Sequence, residues 1–215
     1  MIADPRAVAA RWPEPRARML AELAVVVTET PWALTAEHRA RAHAAGISDA
    51  ELLHAIPLSA YFGHLNRIAD AVAQPLDYEV VHLPPRAEPA TPAYDRPPRV
   101  VRGTPALDLA ERPATAAALA TWRDYVVGRE PAGSPIEAWV DGLTGAGEPV
   151  PPPVGDALYA LVEQVVLAPW QLSDEAFAPL RARGHDDAAL FRVISAASSF
   201  NTFARIRVAL IALAG

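Results

Sequence analysis

An internal repeat is the feature that most constrains how this chain can fold. Residues 31–72 align with residues 169–210 without a gap, at a constant offset of 138, and 15 of the 42 aligned pairs are identical. The identical pairs include Pro31/Pro169, Trp32/Trp170, Gly46/Gly184, Asp49/Asp187, Ile56/Ile194, Phe62/Phe200 and Arg67/Arg205. Chance does not align two tryptophans, two glycines and two arginines, even in an alanine-rich chain. The sequence therefore predicts a duplication, with two copies of one structural unit.

Each repeat is predicted to form three α-helices. The first helix, at about residues 16–28, carries apolar side chains at helical spacing and is interrupted by Pro31. The second begins after Thr35, at an N-cap position, and ends at Gly46, a residue type favoured at C-caps. The third begins at Ser48, where the sequence Ser-Asp-Ala-Glu forms a capping box. Since strand signals are nearly absent, the predicted fold class is all-α.

The repeats also define the expected domain organisation. We expect a first helical repeat at residues 1–74, a Pro-rich connector at 75–112, and a helix followed by the second repeat at 113–215. Proline lacks a backbone N–H, so the connector sequence LPPRAEPATPAYDRPP cannot form a helix or a central strand. The run YEVVHL, from Tyr78, is an ambiguous strand signal. The sequence PIEAWVDGL favours one more short helix, and the two repeats are expected to pack as one compact domain.

Composition excludes several classes of function. The chain has no cysteine, and all 19 of its basic residues are arginine. Thiolate nucleophiles, disulfides, thiolate metal sites and catalytic lysines are therefore excluded. The net charge of −6, with no basic stripe, disfavours nucleic acid as a partner. No signal peptide or membrane-spanning segment is recognisable, so we expect a cytoplasmic protein that does not associate with membranes.

Three parts of the sequence resemble a known superfamily. The segments AELAVVVTETPW, AAGISDAELLHAI and AYFGHLNRIADAV resemble the alkylhydroperoxidase D-like and carboxymuconolactone decarboxylase superfamily, particularly its peroxidase-related branch. The resemblance covers residues 16–75 and 155–214. It implies an all-α fold in which two three-helix units pack about a pseudo-two-fold axis, as two chains do in dimers of single-copy relatives. It also implies a homo-oligomer, either a dimer or a trimer.

The same resemblance argues against peroxidase activity. Active members carry Cys-x-x-Cys-x-x-x-His near the start of the second helix, and the matching positions here are Pro31, Leu34 and His38. The second repeat has Ala176 even at the histidine position. Without sulfur, neither a sulfenate nor a catalytic disulfide can form. The leading hypothesis is therefore a protein that has lost thiol peroxidase chemistry, needs no cofactor, and binds a small molecule or serves an assembly role.

Glu22 and His38 are the candidate catalytic residues. His38 occupies the histidine position of the superfamily, and Glu22 lies about one turn from where its relay glutamate is found. Such a pair would support the alternative function, a cysteine-independent lactone or keto-acid decarboxylase, lyase or isomerase. Whether the chain is an enzyme stays open at this point. No metal is expected, because His38 and His43 are five residues apart rather than the four that place two ligands on one helical face.

Four residues of the third helix are candidate ligand contacts, namely Tyr61, His64, Asn66 and Arg67. Arg67 recurs as Arg205 in the second repeat. Each arginine could hold a carboxylate of a small ligand. Each could instead pair with the glutamate that both repeats share, Glu37 or Glu175, and fix the packing of the second and third helices. We favour the structural role, because internal matches between repeats usually record packing.

Overall fold

The chain folds into helices throughout the region that the structure describes. The computed structural model describes residues 5–72, 94–129, 133–150 and 155–215. Within these ranges there are nine α-helices and no strand, which confirms the all-α prediction. The helices are α1 Pro5–Ala9, α2 Pro15–Glu29, α3 Ala36–Ala44, α4 Asp49–Ala71, α5 Pro113–Arg129, α6 Gly133–Thr144, α7 Ala157–Leu167, α8 Asp174–Arg181 and α9 Asp187–Ala212. The run from Tyr78 and much of the predicted connector lie outside the described residues.

Local interactions set the helix ends where the sequence predicted them. Ser48 caps α4 in a complete capping box, because its side chain accepts from the backbone of Glu51 and the Glu51 carboxylate accepts from the Ser48 backbone. Asp186 caps α9 through its side chain. Gly46 follows the end of α3 with a φ of 78°, a left-handed conformation that glycine adopts without strain. Thr35 precedes α3, but its hydroxyl makes no capping hydrogen bond.

The order of elements in the first half recurs in the second half. In the first, α2 leads through a 3-10 turn at Pro31–Ala33 into α3 and α4. In the second, α7 leads through a 3-10 turn at Pro169–Gln171 into α8 and α9. The long helices α4 and α9 pack against each other at the centre. The 3-10 turn of each half packs on the long helix of the other, so the halves interlock.

Side-chain contacts between α4 and α9 come in pairs related by the offset of 138. Nδ1 of His64 lies 2.9 Å from Oγ of Ser198. At the equivalent positions, the hydroxyl of Thr202 donates to the carbonyl of Ala60 across 3.4 Å. All four residues are buried. Contacts that map onto themselves when two halves are exchanged are those expected of a two-fold relation.

The two halves differ in how their long helices are covered. In the second half, α6 lies across α9 and packs apolar residues at helical spacing into the core: Ile136, Trp139, Val140 and Leu143. Phe200 of α9 lies beneath them and is 1% exposed, whereas the equivalent Phe62 of α4 is 55% exposed. The sequence grouped Phe62 with the apolar run of its helix. Its exposure follows from the fold, because no described helix lies over α4 as α6 lies over α9.

Two further findings bear on partners. Within the described residues, none of the helices is long and apolar enough to span a membrane. In the same part of the chain, no three His, Asp or Glu side chains are grouped so that they could hold a metal ion.

Candidate functional site

Glu22 and His38, the candidate catalytic residues, line the same groove. This first-half groove lies between α1, α2 and α3 and has a volume of about 600 Å³. Its apolar lining consists of Ala9, Ala10, Val25, Val26 and Ala33. Its polar lining consists of Arg6, Arg18, Glu22, Thr30, His38 and Arg41. An apolar floor with a few convergent polar groups is the usual composition of a small-molecule site.

Within the groove, Glu22 and His38 are each hydrogen-bonded to another residue rather than to one another. The Glu22 carboxylate accepts from Nη1 of Arg41 at 2.8 Å and from Nη2 at 2.5 Å. This bond raises the pKa of Arg41. Nδ1 of His38 lies 2.9 Å from Oγ1 of Thr35. The arrangement is therefore a bidentate ion pair and a histidine on one groove, and no hydrogen bond joins Glu22 to His38 in the structure.

Most of the charged side chains that line the groove are cationic. Three arginines and one glutamate line it, although the whole chain has a net charge of −6. Arg6 pairs with Glu29 at 2.9 Å, and Arg41 pairs with Glu22. Arg18, by contrast, makes no side-chain hydrogen bond or ion pair with any residue that the structure describes. A local excess of positive charge beside an unpaired guanidinium favours an anionic ligand.

The second half has a groove in the equivalent place, with a volume of about 700 Å³. Four of its lining residues stand at positions equivalent to polar residues of the first-half groove: Asp156 for Arg18, Ala160 for Glu22, Ala176 for His38 and Pro179 for Arg41. The charged residues that line this second groove, Asp156, Glu163 and Glu175, are all acidic. The fold therefore forms the groove in both halves, but the cationic lining belongs to the first half.

The four candidate ligand contacts on α4 do not converge on one cavity. Tyr61 and Asn66 are exposed, whereas His64 and Arg67 are buried in the interface between α4 and α9. His64 is hydrogen-bonded to Ser198, and its pKa is lowered to about 4, first by burial and then by the charge of Arg67. Helix geometry separates these residues, because positions 61 and 66 face outward while positions 64 and 67 face α9.

Arg67 does not pair with the shared glutamate. Nη1 of Arg67 donates to the carbonyl of Gly63 at 2.9 Å, and Nε donates to that of Val166 at 3.4 Å. Glu37 is exposed on α3, whereas Arg67 is buried against the last turn of α7. Distance in the fold thus rules out the ion pair that the sequence made possible.

Arg205 occupies the equivalent place in the second half. Its Nη1 donates to the carbonyl of Val27 at 3.3 Å and to that of Thr28, and its Nε donates to Oδ1 of Asn201 at 3.0 Å. Glu175 is instead exposed and bonded to Ser173. Each arginine therefore binds carbonyls at the C-terminal end of the first helix of the opposite half, where the helix dipole favours positive charge.

Tyr94 joins the two arginines, and the sequence did not predict its role. Its ring centroid lies 5.2 Å from Cζ of Arg67 and 5.5 Å from Cζ of Arg205. The backbone N–H of Tyr94 donates to the carbonyl of Leu167 at 2.8 Å. Burial lowers the pKa of both guanidinium groups. Tyr94 stands in the Pro-rich stretch, so an aromatic residue among the prolines was the one available signal.

The central cluster formed by Arg67, Arg205, Asn201, Tyr94 and Trp170 contains buried polar atoms without hydrogen-bond partners among the described residues. Nη2 of Arg67, Nδ2 of Asn201 and Nε1 of Trp170 are buried and have no hydrogen-bond partner among the described residues. The ring of Trp170 contacts that of Tyr94 edge-on, with centroids 5.2 Å apart. We interpret the cluster as the packing centre between the halves.

No protein-family model, curated protein or solved structure matches this chain. The resemblance to the alkylhydroperoxidase D-like superfamily therefore rests on the sequence patterns alone.

Proposed function

We propose that this chain is a cysteine-free, internally duplicated alkylhydroperoxidase D-like protein that binds a small organic anion in the first-half groove. The duplication is supported by the repeated order of elements and by the paired contacts across α4 and α9. Thiol peroxidase chemistry is not part of the proposal, because the chain has no cysteine. Hydroperoxide turnover above background that is abolished by His38→Ala would contradict this last point.

The difference between the two grooves carries the proposal. Both grooves lie against equivalent helices, α2 and α3 in the first half and α7 and α8 in the second, so the packing of these helices alone does not require the cationic residues of the first. Arginines at positions 18 and 41 are replaced by Asp156 and Pro179 in the second. A chain that retains an unpaired arginine over an apolar floor in one half fits a ligand with a carboxylate and an apolar body.

Native mass spectrometry on protein purified without added ligand is the first experiment. We expect one organic molecule per chain, since of the two equivalent grooves the one in the first half has the cationic lining. A bare protein mass is followed by calorimetric titration with straight-chain monocarboxylates from butanoate to dodecanoate. Failure of every acid in that series to bind, together with a bare mass, overturns the proposal.

A matched pair of variants then assigns the site. Arg18→Ala should weaken binding of the best carboxylate at least about tenfold, as expected for loss of one charge-assisted contact. Arg192→Ala removes an exposed arginine of α9, outside the groove, and should leave the affinity unchanged. Equal effects of the two substitutions would show that net charge, and not the groove, controls binding.

One observation favours the alternative enzymatic function, a lactone or keto-acid decarboxylase, lyase or isomerase. Glu22 and His38 line one groove of sufficient volume for such a substrate. In that case Glu22→Gln and His38→Gln would each abolish turnover while leaving ligand affinity within a few fold. The role proposed for Arg67 in holding the substrate has no support in this geometry, because Arg67 is buried away from the groove.

A further inference from the structure

Two arginines are buried in the central cluster without a carboxylate partner. Arg67 is 2% exposed and Arg205 is 1% exposed. Their hydrogen-bond acceptors are backbone carbonyls and the side-chain oxygen of Asn201, all of them neutral. Neither guanidinium forms an ion pair with any residue that the structure describes. Because buried charges are normally paired with opposite charges, the cluster holds positive charge that these residues do not balance.

Carboxylates beyond ion-pair distance do not supply the missing charge. Asp70 raises the pKa of Arg67 and Glu29 raises that of Arg205, but burial lowers both pKa values more strongly. Glu29 already pairs with Arg6. Each buried arginine does meet the C-terminal end of a helix, which carries about half a negative elementary charge. Two guanidinium groups against two helix ends leave roughly one positive charge, which a single monovalent anion would balance.

Three unpartnered hydrogen-bond donors lie in the same cluster. They are Nη2 of Arg67, Nδ2 of Asn201 and Nε1 of Trp170, each buried and without a partner among the described residues. The ring centroid of Tyr94 lies 5.2 Å from Cζ of Arg67 and 5.2 Å from the ring centroid of Trp170. Asn201 joins the cluster through its hydrogen bond with Arg205. Unpaired buried donors are costly, so three of them in one cluster indicate a bound acceptor.

We propose that a chloride ion binds in the central cluster, with these three donors as its ligands. A halide accepts hydrogen bonds from N–H groups and carries the single negative charge that the cluster lacks. A buried water molecule is the alternative occupant, but water brings no charge and must itself donate hydrogen bonds. All three unpartnered atoms are donors, and this favours the anion over water.

The proposed chloride site differs from the first-half groove in place and in role. None of the residues that line the groove supplies one of the three donors. Arg67 belongs to the first half, whereas Asn201 and Trp170 belong to the second. The ion therefore bridges the two halves and stabilises their packing. An organic anion in the groove and a chloride ion in the cluster are independent of each other, so either proposal can fail alone.

Thermal unfolding at increasing chloride concentration tests the proposal. Ionic strength is held at about 0.3 M with sodium isethionate, so that general screening of charge stays constant. Replacing all isethionate by chloride should raise the wild-type melting temperature by at least about 4 °C, as for an ion with a Kd of about 30 mM or lower. Arg67→Met should abolish this rise. Arg18→Ala should keep the full rise, because Arg18 lines the groove and not the cluster.

The effect of Arg67→Met is read from its response to chloride and not from its stability in chloride-free buffer. Without the ion, that stability depends on the contacts of the protein alone. Folding of the variant is checked by circular dichroism before the titration.

A matched pair of tryptophan variants tests one donor without removing a charge. Trp170→Phe keeps a ring against Tyr94 but removes the indole N–H, so chloride binding should weaken about tenfold. Trp32→Phe makes the same change at the equivalent position of the first repeat, where the indole nitrogen is not a buried unpartnered donor. It should leave the response to chloride unchanged. Equal weakening by both substitutions would contradict the assignment of Trp170 as a ligand.

Crystals grown in bromide identify the occupant directly, since bromide has an anomalous signal that water lacks. An anomalous peak beside Nη2 of Arg67 would support the proposal. A water molecule at that place, with bromide bound only elsewhere, overturns it. A wild-type melting temperature that does not respond to chloride overturns it as well, and so does an equal rise in Arg67→Met. Loss of the rise in Arg18→Ala would assign the chloride effect to the first-half groove and would also overturn the proposal.

Discussion

Arg205 and Arg67 stand at equivalent positions, but the structure predicts unequal losses of stability when each is replaced. Arg205 donates to three acceptors, namely the carbonyls of Val27 and Thr28 and Oδ1 of Asn201. The carbonyl of Val27 has no donor within its own helix, because the residue four positions later is proline. Arg205→Met keeps an unbranched side chain of similar length but leaves these three acceptors, two buried and one half-buried, without their donor.

Arg67 makes weaker contacts. The carbonyl of Gly63 already accepts the backbone N–H four residues later in α4, as in any α-helix, and the bond to Val166 is 3.4 Å long. Nη2 of Arg67 has no partner among the described residues. Arg67→Met therefore removes a buried and incompletely satisfied charge, a change that is often neutral or stabilising.

The expected magnitudes follow from these contacts. Each acceptor that Arg205→Met leaves unsatisfied costs about 1 kcal/mol, so the free energy of unfolding should fall by about 3 kcal/mol. Arg67→Met should change it by less than about 1 kcal/mol, and the double variant should resemble Arg205→Met. For a chain of this size, a difference of about 3 kcal/mol lowers the melting temperature by roughly 6–12 °C.

Urea unfolding followed by circular dichroism at 25 °C measures both variants, and the slope against urea concentration shows whether unfolding stays two-state. Wild type, Arg205→Met and Arg67→Met are compared at one pH and one protein concentration, because a dimer would make stability depend on concentration. Equal destabilisation by the two substitutions would refute the reasoning. It would mean that losing the donor to the carbonyl of Val166 costs as much free energy as losing the donors to the carbonyls of Val27 and Thr28.

Three other predictions concern single side chains. The pKa of His64 is lowered from 6.5 to about 4, so between pH 7 and pH 5 the unfolded chain gains a proton there that the folded chain does not. Stability should therefore fall by about 2 kcal/mol over that range, and His64→Gln should remove this loss while His54→Gln, at an exposed position, should not. Ser48→Ala removes the capping box of α4 and should cost about 1 kcal/mol in thermal or urea unfolding, and Ser48→Asp should restore most of it. Tyr94→Leu should lower the melting temperature, because it removes the ring between the two arginines; an unchanged melting temperature would show that Tyr94 merely lies over them.

Features decided by neighbours in the sequence were predictable. The ends of α3 and α4 follow from Gly46 and Ser48, because capping depends on residues within one turn. The breaks at Pro31 and Pro169 follow from the missing N–H of proline. The periodicity of apolar residues was sufficient for the all-α class, as in α2, which buries Met19, Leu23 and Val27 at a spacing of four residues.

Two residues that line the groove were selected from the sequence, but their contacts were not. Residue types and the superfamily resemblance were enough to select Glu22 and His38, and the structure places both on one groove. The sequence could not show that Arg41 holds Glu22, because this pair joins two helices across a gap of 19 residues. The three arginines that line the groove lie on α1, α2 and α3, and the mutual positions of these helices depend on tertiary packing.

The sequence by itself determined the helices, the repeat, and the absence of thiol chemistry, since these depend on local residue pattern and on composition. Tertiary structure alone decided which equivalent residues differ in environment. Phe62 and Phe200 have the same side chain at matching positions, yet one is exposed and the other is buried. The cause is α6, a helix outside the repeat that packs on one long helix and not on the other. The burial of a side chain depends on which helices pack over it, so no pattern within either repeat could predict this difference.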